Sequence, residues 1–517
     1  MSEEASALGR AGLPAALLAD MEAKDIDVAL SLSILADCNA GLYDSALPVR
    51  ASGVPAVDGR SVVSLLDRAS VRYSLPEREA RDRLGELALS LPASAEEAPR
   101  GELAFGTAAL EEIGLGLVGR TAFGVLNGGS ATSYADSKKN LAFGKEVFDA
   151  LEGPFRLLAP LCEGEPKGLT PAYLEPDLSP GSSFLLLKMR ARLLAARLAK
   201  ARGETLGDSF MPLFQMSSVS NDGRLAEAYA AYEDHPFLSA LSRELGLEGA
   251  RWATGVQPMI SAYTHSSAGR PKRIFDRAHG RPDSALALPG GHGQCFRVLA
   301  PVLRSLRDAG ARFAYIGNVD NLGYLPDPLE LALLALSGRS AAFDFSLRTP
   351  VDVKGGILVN AEGGSRTIAD IGPAITFDEV RRLEASGSSI LFNCAIGLFD
   401  LDRLVPRLDE IGRELPVRFT DQDKDAGRYS QAEQVTWEVA SLLPDFLALA
   451  VDKCDRFIAA KLLAETLLTS GCAAGDERIP AELALTSRAL KAALEAKLSG
   501  PYGLVRRGTK WVPAEAT

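Results

Sequence analysis

The chain is 517 residues long, which at roughly 150 residues per domain predicts about three domains. Apolar residues make up 47% and charged residues 24%, enough apolar side chain to bury a core and to exclude long disorder. Lys and Arg number 56 against 67 Asp and Glu, and the net charge of -11 argues against nucleic acid or a membrane surface as the partner.

Residues 1–120 read mainly as helix. The first residues, Met1-Ser-Glu-Glu-Ala-Ser6, are acidic and lack the apolar centre of a secretory signal. Pro14 to Ala23 is rich in Ala and Leu, and Pro76 to Leu91 interleaves charges with apolar residues. Leu110, Ile113 and Leu117 keep helical spacing. At 121 the texture changes: the short apolar run Thr121 to Leu126 leads into Asn127-Gly-Gly129, a strand ending in a glycine loop.

From 121 to 410 strands and helices alternate. Further strands are predicted at Phe210–Met216, Arg312–Gly317, Phe343–Leu347 and Ser389–Phe392. Ala226–Tyr232 has helical period, and so do Phe296, Leu299, Leu303 and Leu306, where Pro301 predicts two short helices. Such alternation predicts an α/β, Rossmann-like fold: a mostly parallel central sheet with helices on both faces. Gly356–Asn360 and Ser365–Ala369 flank Ala-Glu-Gly-Gly, a hairpin that makes the sheet mixed. From 411 the chain reads as helix again. Leu483, Leu490, Leu494 and Leu498 form one face, with Pro480 before it and Gly500-Pro501 closing it. The expected organisation is a helical region at 1–120, a nucleotide- and sugar-binding catalytic α/β domain at 121–410 and a helical region at 411–517. Apolar runs such as Leu442–Val451 fall short of the roughly 18–20 residues that span a bilayer.

Zinc and thiol chemistry find no support. The four histidines, 235, 265, 279 and 292, include no H-E-x-x-H. The closest pair among the six cysteines, 454 and 472, is 18 apart, so no C-x-x-C exists. Scattered cysteines of this kind read as reduced core residues of a cytoplasmic protein.

Three segments could carry other chemistry. The loop Leu126-Asn-Gly-Gly-Ser-Ala-Thr-Ser-Tyr-Ala-Asp-Ser-Lys-Lys139 is neither a Walker loop nor a G-x-G-x-x-G. Its Asn-Gly is either a tight turn or backbone laid against a ligand, with the lysines ten residues on complementing phosphate charge. Pro289-Gly-Gly-His-Gly293 sets one histidine among glycines. Asp320, in Asn318-Val-Asp-Asn-Leu-Gly323, falls at a strand end, where open α/β sheets bind ligands. It is either an Asx-type cap or a carboxylate for Mg²⁺, which takes few protein ligands and keeps waters and phosphates. In Asp352-Val-Lys-Gly-Gly356, Lys354 is either a solvated strand-end lysine or a second phosphate clamp.

Together these segments resemble the UTP–glucose-1-phosphate uridylyltransferase family, the eukaryotic-type UDP-sugar pyrophosphorylases. Leu126-Asn-Gly-Gly129 resembles the family's nucleotide loop, with Thr132 and Lys139 where its Thr and Lys lie. Met216-Ser-Ser218, Gln257-Pro258, Gly291-His-Gly293, Asn318 to Gly323, Asp352 to Gly356, Phe392-Asn393 and Arg456 to Lys461 follow collinearly over roughly 120–465. There are departures. Ser130-Ala131 precede Thr132 and Ala135 replaces a glycine. Gln294 stands where an Asp is usual, Asp370 where a Glu is, and Ala395-Ile396 replace an Asn pair. After 461 nothing corresponds to the C-terminal β-helix of eukaryotic members.

The resemblance implies a nucleotidyltransferase that makes UDP-glucose and pyrophosphate from UTP and glucose 1-phosphate, with Mg²⁺ as cofactor. Leu126, Asn127, Gly128, Gly129, Thr132, Gln257, Gly291 and His292 would hold the nucleotide. Lys139, Lys354 and Asp320 would be catalytic, with Asp320 on the metal. Asn318, Asp370 and Asn393 would meet the sugar, and Lys461 would reach phosphate. Alternatives are galactose or N-acetylglucosamine 1-phosphate as substrate, a catalytically weak uridine-nucleotide-binding homologue, or an inverting glycosyltransferase. The implied partners are UTP and a sugar 1-phosphate, with no nucleic acid and no membrane.

Overall fold

The apolar run at 121–126 is a strand in the middle of the largest sheet of the molecule. In a computed structural model that describes residues 12–44, 49–129, 134–207, 210–249, 251–349, 352 and 355–516, this sheet has eleven strands. They are β1 (Ala51–Gly53), β2 (Val62–Ser64), β3 (Thr121–Leu126), β4 (Leu213–Ser218), β5 (Ala253–Gln257), β6 (Phe313–Asn318), β7 (Ala341–Leu347), β8 (Gly356–Ala361), β9 (Arg366–Asp370), β10 (Leu391–Asp400) and β11 (Leu447–Val451). The spatial order is β2-β11-β7-β10-β6-β3-β4-β5, with β8 joining β10, and β9 and β1 joining β8. Every pairing along that path is parallel except those of β10, which runs antiparallel to β6 and β7. The α/β expectation of a mixed, mostly parallel sheet is borne out.

A parallel strand is covered on both faces, so both sets of alternating side chains must be apolar. In β3, Phe123 and Val125 enter one core while Ala122 and Leu126 enter the other. In β6, Phe313 and Tyr315 share the first core, and Ala314 and Ile316 the second. The helices that matter for the site are α1 (Lys145–Cys162), α2 (Phe184–Ala201), α3 (Pro328–Ser337), α4 (Lys453–Arg456), α5 (Leu463–Thr469) and α6 (Ala481–Ser499). Pro301 does split its segment into two short helices, Cys295–Val298 and Ala300–Asp308. In α6, Leu494 and Leu498 are buried, and Leu483 and Leu490 half-buried.

The helical readings of 1–120 and 411–517 need correction. Arg72–Pro76, Glu96–Ala98 and Glu102–Gly106 form an antiparallel sheet, and β1 and β2 join the central one. Val417–Lys424 and Gly427–Gln434 form a long hairpin beside Tyr263–Thr264. The physical reason is a period-two pattern: Tyr73 and Leu75 are buried between Arg72 and Pro76, and Val417 and Phe419 turn inward on either side of the exposed Arg418. β11 is an unbroken apolar run, Leu447-Ala-Leu-Ala-Val451, whose pattern alone does not separate a buried strand from a buried helix. After 461 come α5, α6 and a short hairpin, Leu504–Arg507 with Lys510–Pro513. Among the described residues no helix is long and apolar enough to cross a membrane.

Candidate active site

Leu126 to Gly129, Gln257, Asn318 and Asp320 lie at the C-terminal ends of β3, β5 and β6, the edge where open α/β sheets bind ligands. Leu126 ends β3 in register with Met216 on one side and Asn318 on the other. Asn127, which follows, is fully buried and spends its groups on the protein. Its N–H donates to the Met216 carbonyl (2.9 Å) and its side-chain amide to Gln215 Oε1 (3.2 Å). Its Oδ1 accepts from the Gly168 N–H (3.0 Å) and its carbonyl from Asn221 Nδ2 (2.9 Å). Asn127 therefore anchors the loop, and Gly128 and Gly129 follow it.

A Cβ on Gly128 would stand 3.1 Å from Gln257 Oε1 and 3.2 Å from the Ser217 carbonyl, so the loop backbone lies close against β4 and β5. Gln257, at the end of β5, is 4% exposed. Its Nε2 donates to the Gly291 carbonyl (2.8 Å) and to Gln294 Oε1 (3.0 Å). Gly291 has φ +84°, and a Cβ there would fall 2.4 Å from the Gln434 carbonyl oxygen, so glycine is required. One buried amide thus ties the end of β5 to the Gly-His-Gly turn, with the glycine loop of β3 packed beside it.

His292 is fixed by Thr436, whose N–H donates to Nδ1 (3.2 Å) and whose Oγ1 is 2.7 Å from the same nitrogen. An acceptor at Nδ1 leaves the proton of a neutral imidazole on Nε2. Burial first, and the positive charge of Lys461 second, push the imidazole down to about 4, so His292 is a neutral N–H donor at physiological pH. Lys461 itself is exposed, with its backbone N–H held by Glu465 Oε2 at 2.6 Å.

The charged centre contains a residue that sequence reasoning missed. Asp320, just past β6, has its carboxylate 3.8 Å from the ammonium of Lys167, and their side chains are 17% and 11% exposed. The Lys167 Nζ donates to the Ala460 carbonyl (2.7 Å) and lies 3.1 Å from the centre of the Tyr134 ring. Burial pushes this ammonium down to about 8, against the opposing pull of Asp320 and Glu465. Lys139 stands exposed on the short helix Ser137–Asn140. The lysine set beside Asp320 is Lys167. Its sequence signal was a Lys-Gly step within Gly164-Glu-Pro-Lys-Gly168, the same step that ends Asp352-Val-Lys-Gly355. Thr132 and Lys354 lie outside the described residues. Asp352 is described: it accepts from the Thr349 N–H (2.8 Å) and pairs with Lys453 of α4 (2.6 Å).

The Asp320 loop rests on a buried ionic cluster. Arg456, at the end of α4, pairs with Glu330 of α3 and Asp344 of β7, each at 2.9 Å, and donates to the Leu325 carbonyl (2.8 Å). Asn321 donates to the Arg456 carbonyl (2.9 Å), and Lys188 of α2 donates to the carbonyls of Asn321 (2.6 Å) and Tyr324. Burial raises the Glu330 carboxyl well above its usual range, against the pull of Arg456. These contacts immobilise the segment that presents Asp320.

Asn318 ends β6 half-buried, beside Leu126 at the end of β3. Asn393 lies in β10, where two extra residues bulge against β7: Phe343 pairs with Gly397 but Phe345 with Asn393. Its Oδ1 accepts from the Ala395 N–H (3.1 Å), and Ala395 has φ +55°. Asp370 ends β9 and pairs with Arg418 (2.9 Å), which also donates to Glu438 (2.6 Å). Among the described residues no three His, Cys, Asp or Glu side chains gather as a metal set. A single carboxylate at a strand end suits Mg²⁺, which completes its shell with phosphates and water.

Residues 272–470 match the family model described as UTP–glucose-1-phosphate uridylyltransferase. The chain is 29% identical over 155 residues to UTP–glucose-1-phosphate uridylyltransferase 2 of Dictyostelium discoideum, covering 28% of this chain and 31% of that protein. It is 30% identical over 111 residues to the UTP–glucose-1-phosphate uridylyltransferase of Astragalus penduliflorus, covering 20% and 24%. The chain thus spans less than a third of these relatives' length. Its fold is similar to the Trypanosoma brucei uridine diphosphate N-acetylglucosamine pyrophosphorylase in complex with inhibitor (TM-score 0.57, 17% identity, 96% of this chain and 86% of that one). It is also similar to the UDP-glucose phosphorylase of the same organism (TM-score 0.51, 18% identity, 90% and 79%). The likeness to these two structures is one of fold. Over residues 272–470 the match to the UTP–glucose-1-phosphate uridylyltransferase family model bears out the resemblance read from the motifs.

Proposed function

We propose that the protein transfers a uridylyl group from UTP to a sugar 1-phosphate, with glucose 1-phosphate as the sugar, and releases pyrophosphate. A phosphate oxygen of the sugar attacks the α-phosphorus of UTP, and the bond to the β-phosphate oxygen breaks in line. The protein does little covalent chemistry in such a transfer; positioning and charge neutralisation do most of the work. The observation that carries the reading is the Lys167–Asp320 pair, 3.8 Å apart, at the same sheet edge as the glycine loop and Gln257. An ammonium beside a carboxylate at one phosphate site supplies both a direct cation and an anchor for a second one.

In this reading the backbone at 128–129 and the Gln257–Gly291 turn receive the uracil, and Lys167 neutralises the triphosphate. Mg²⁺ held by Asp320 supplies further charge neutralisation when bound. His292 offers a neutral N–H to phosphate or ribose, and Lys461 faces the same region. By the resemblance, Lys354 clamps the sugar phosphate and Thr132 joins the nucleotide loop. Asn318, Asp370 and Asn393 line the sugar side. Glucose is favoured by the Gly-His-Gly and Asn-x-Asp-Asn-Leu-Gly motifs.

The test is pyrophosphate release from UTP with Mg²⁺ against glucose, galactose and N-acetylglucosamine 1-phosphates. Glucose 1-phosphate is expected to give the highest kcat/KM. A higher value for another sugar reassigns the substrate. UTP binding with no release from any sugar overturns the enzyme reading in favour of a nucleotide-binding homologue.

A further inference from the structure

The two ends of the excursion at 130–166 meet at the site. The Lys167 N–H donates to the Gly129 carbonyl at 3.1 Å, closing the excursion where it began. Tyr134, on its early side, is 2% exposed. Its hydroxyl is 2.5 Å from Thr466 Oγ1 on α5, and its carbonyl accepts from the Leu463 N–H (3.0 Å) and Asn140 Nδ2 (2.9 Å). Asn140 in turn accepts from the Ala464 N–H at 2.9 Å. The ring is therefore fixed to the first turn of α5 from two directions, and the Lys167 ammonium stands over its face.

We propose that Tyr134 is the positioning residue for Lys167: its ring face carries the ammonium, and the bonds of its backbone carbonyl to the Leu463 N–H and Asn140 Nδ2 keep that face toward the Asp320 edge of the sheet. This rests on the reading of Lys167 as the triphosphate lysine. The geometry supports it from each side of the ammonium. One N–H is taken by the Ala460 carbonyl at 2.7 Å, and the ring covers a second direction at 3.1 Å. Asp320 at 3.8 Å is beyond a direct hydrogen bond, so the remaining protons can turn to an anionic oxygen between them. The ring quadrupole favours the cation without supplying a negative charge that would repel phosphate. A carboxylate in that place would hold the lysine as firmly but repel the ligand.

The ionisable groups facing the ammonium are Asp320, Glu465, the Cys162 thiol of α1 and the Tyr134 phenol. Burial pushes that thiol up to about 12 and the phenol well above its usual range, so both stay neutral. Asp320 and Glu465 are present in every variant below. The ring is the element that changes.

The experiment compares Tyr134→Phe, which keeps the ring, with Tyr134→Leu, which keeps apolar bulk without a π face. Lys167 is followed in two ways: by kcat for pyrophosphate release, and by competitive acylation of its amine against pH, read by mass spectrometry without substrate. The Leu variant is expected to lose about 10- to 30-fold in kcat. Its Lys167 titrates at lower pH than in the parent, because the charged form has lost its ring. The Phe variant keeps kcat within about 3-fold and leaves the titration in place. A Leu variant with parental Lys167 titration, or a Phe variant as impaired as the Leu one, overturns the proposal. If the parent releases no pyrophosphate, the functional reading fails, and the acylation profiles still decide the role of Tyr134.

Discussion

The sides of the site proposed for nucleotide and for sugar are built by different means. On the nucleotide side, parallel strand ends are joined by buried, neutral amides: Asn127 bridges β3 to Gln215 and Gly168, and Gln257 bridges β5 to Gly291. On the sugar side, the end of the β8–β9 hairpin is held by a half-exposed ion pair. Asp370 is bound to Arg418 with side chains 40% and 46% exposed. Buried amide bonds are costly to leave unmade, whereas exposed ion pairs contribute roughly 0–1 kcal/mol each. The nucleotide side is thus the fixed half, and the sugar side the half that can change with little loss of stability. Between them the Lys167–Asp320 pair belongs to the fixed half, and it is there that the largest effects are expected.

Replacing Lys167 by Met is expected to cut kcat about 10²- to 10³-fold. Stability should not fall with it. The ammonium titrates at about 8 in the folded chain against 10.5 for an ordinary lysine. Its charged form therefore costs roughly 3 kcal/mol at neutral pH, offset in part by the ring and the Ala460 carbonyl. That cost is lifted as pH rises from about 8 through 10.5. Lys139→Met, on an exposed surface, should cost less than about 10-fold. Steady-state kinetics with urea denaturation of both variants check the pair, and equal kinetic losses would break the contrast.

The next effect is on stability in acid. His292 titrates at about 4 folded and at 6.5 unfolded, so the unfolded chain takes up its proton first. Its contribution is fully present above pH 6.5 and is lost as pH falls through about 4, up to roughly 3 kcal/mol. His292→Gln should flatten urea midpoints over that window, and an unchanged acid slope would argue against a buried neutral imidazole.

The smallest effect probes the softer side. Asp370→Asn is expected to raise KM for the sugar 1-phosphate about 3- to 10-fold, with KM for UTP unchanged and stability within about 0.5 kcal/mol. A rise in KM for UTP instead would mean that the two sides are not separable.

The strand ends were legible for a local reason. Thr121–Leu126 and Arg312–Gly317 are short apolar runs closed by Asn-Gly and Asn-Val-Asp, and the structure places strands over Thr121–Leu126 and Phe313–Asn318. The hairpin at 417–434 was hidden because charges such as Asp421 and Asp423 share its length with the inward-facing residues. Lys167 was hidden by distance. It is close to Asn127 through the Gly168 N–H at 3.0 Å, but 40 positions away in the chain. Lys139 lies nearer the loop in sequence and sits on the exposed face of a short helix.

The sequence by itself determined the α/β class, the parallel core and the set of strand-end motifs. Apolar periodicity and glycine placement act between neighbours and can be read in order. Only the tertiary structure decided which lysine meets Asp320, and that Asn127 is spent on the protein while Gln257 ties β5 to the Gly-His-Gly turn. Those outcomes depend on burial and on hydrogen bonds between segments far apart in the chain, and they exist only once the excursion at 130–166 has closed onto the sheet.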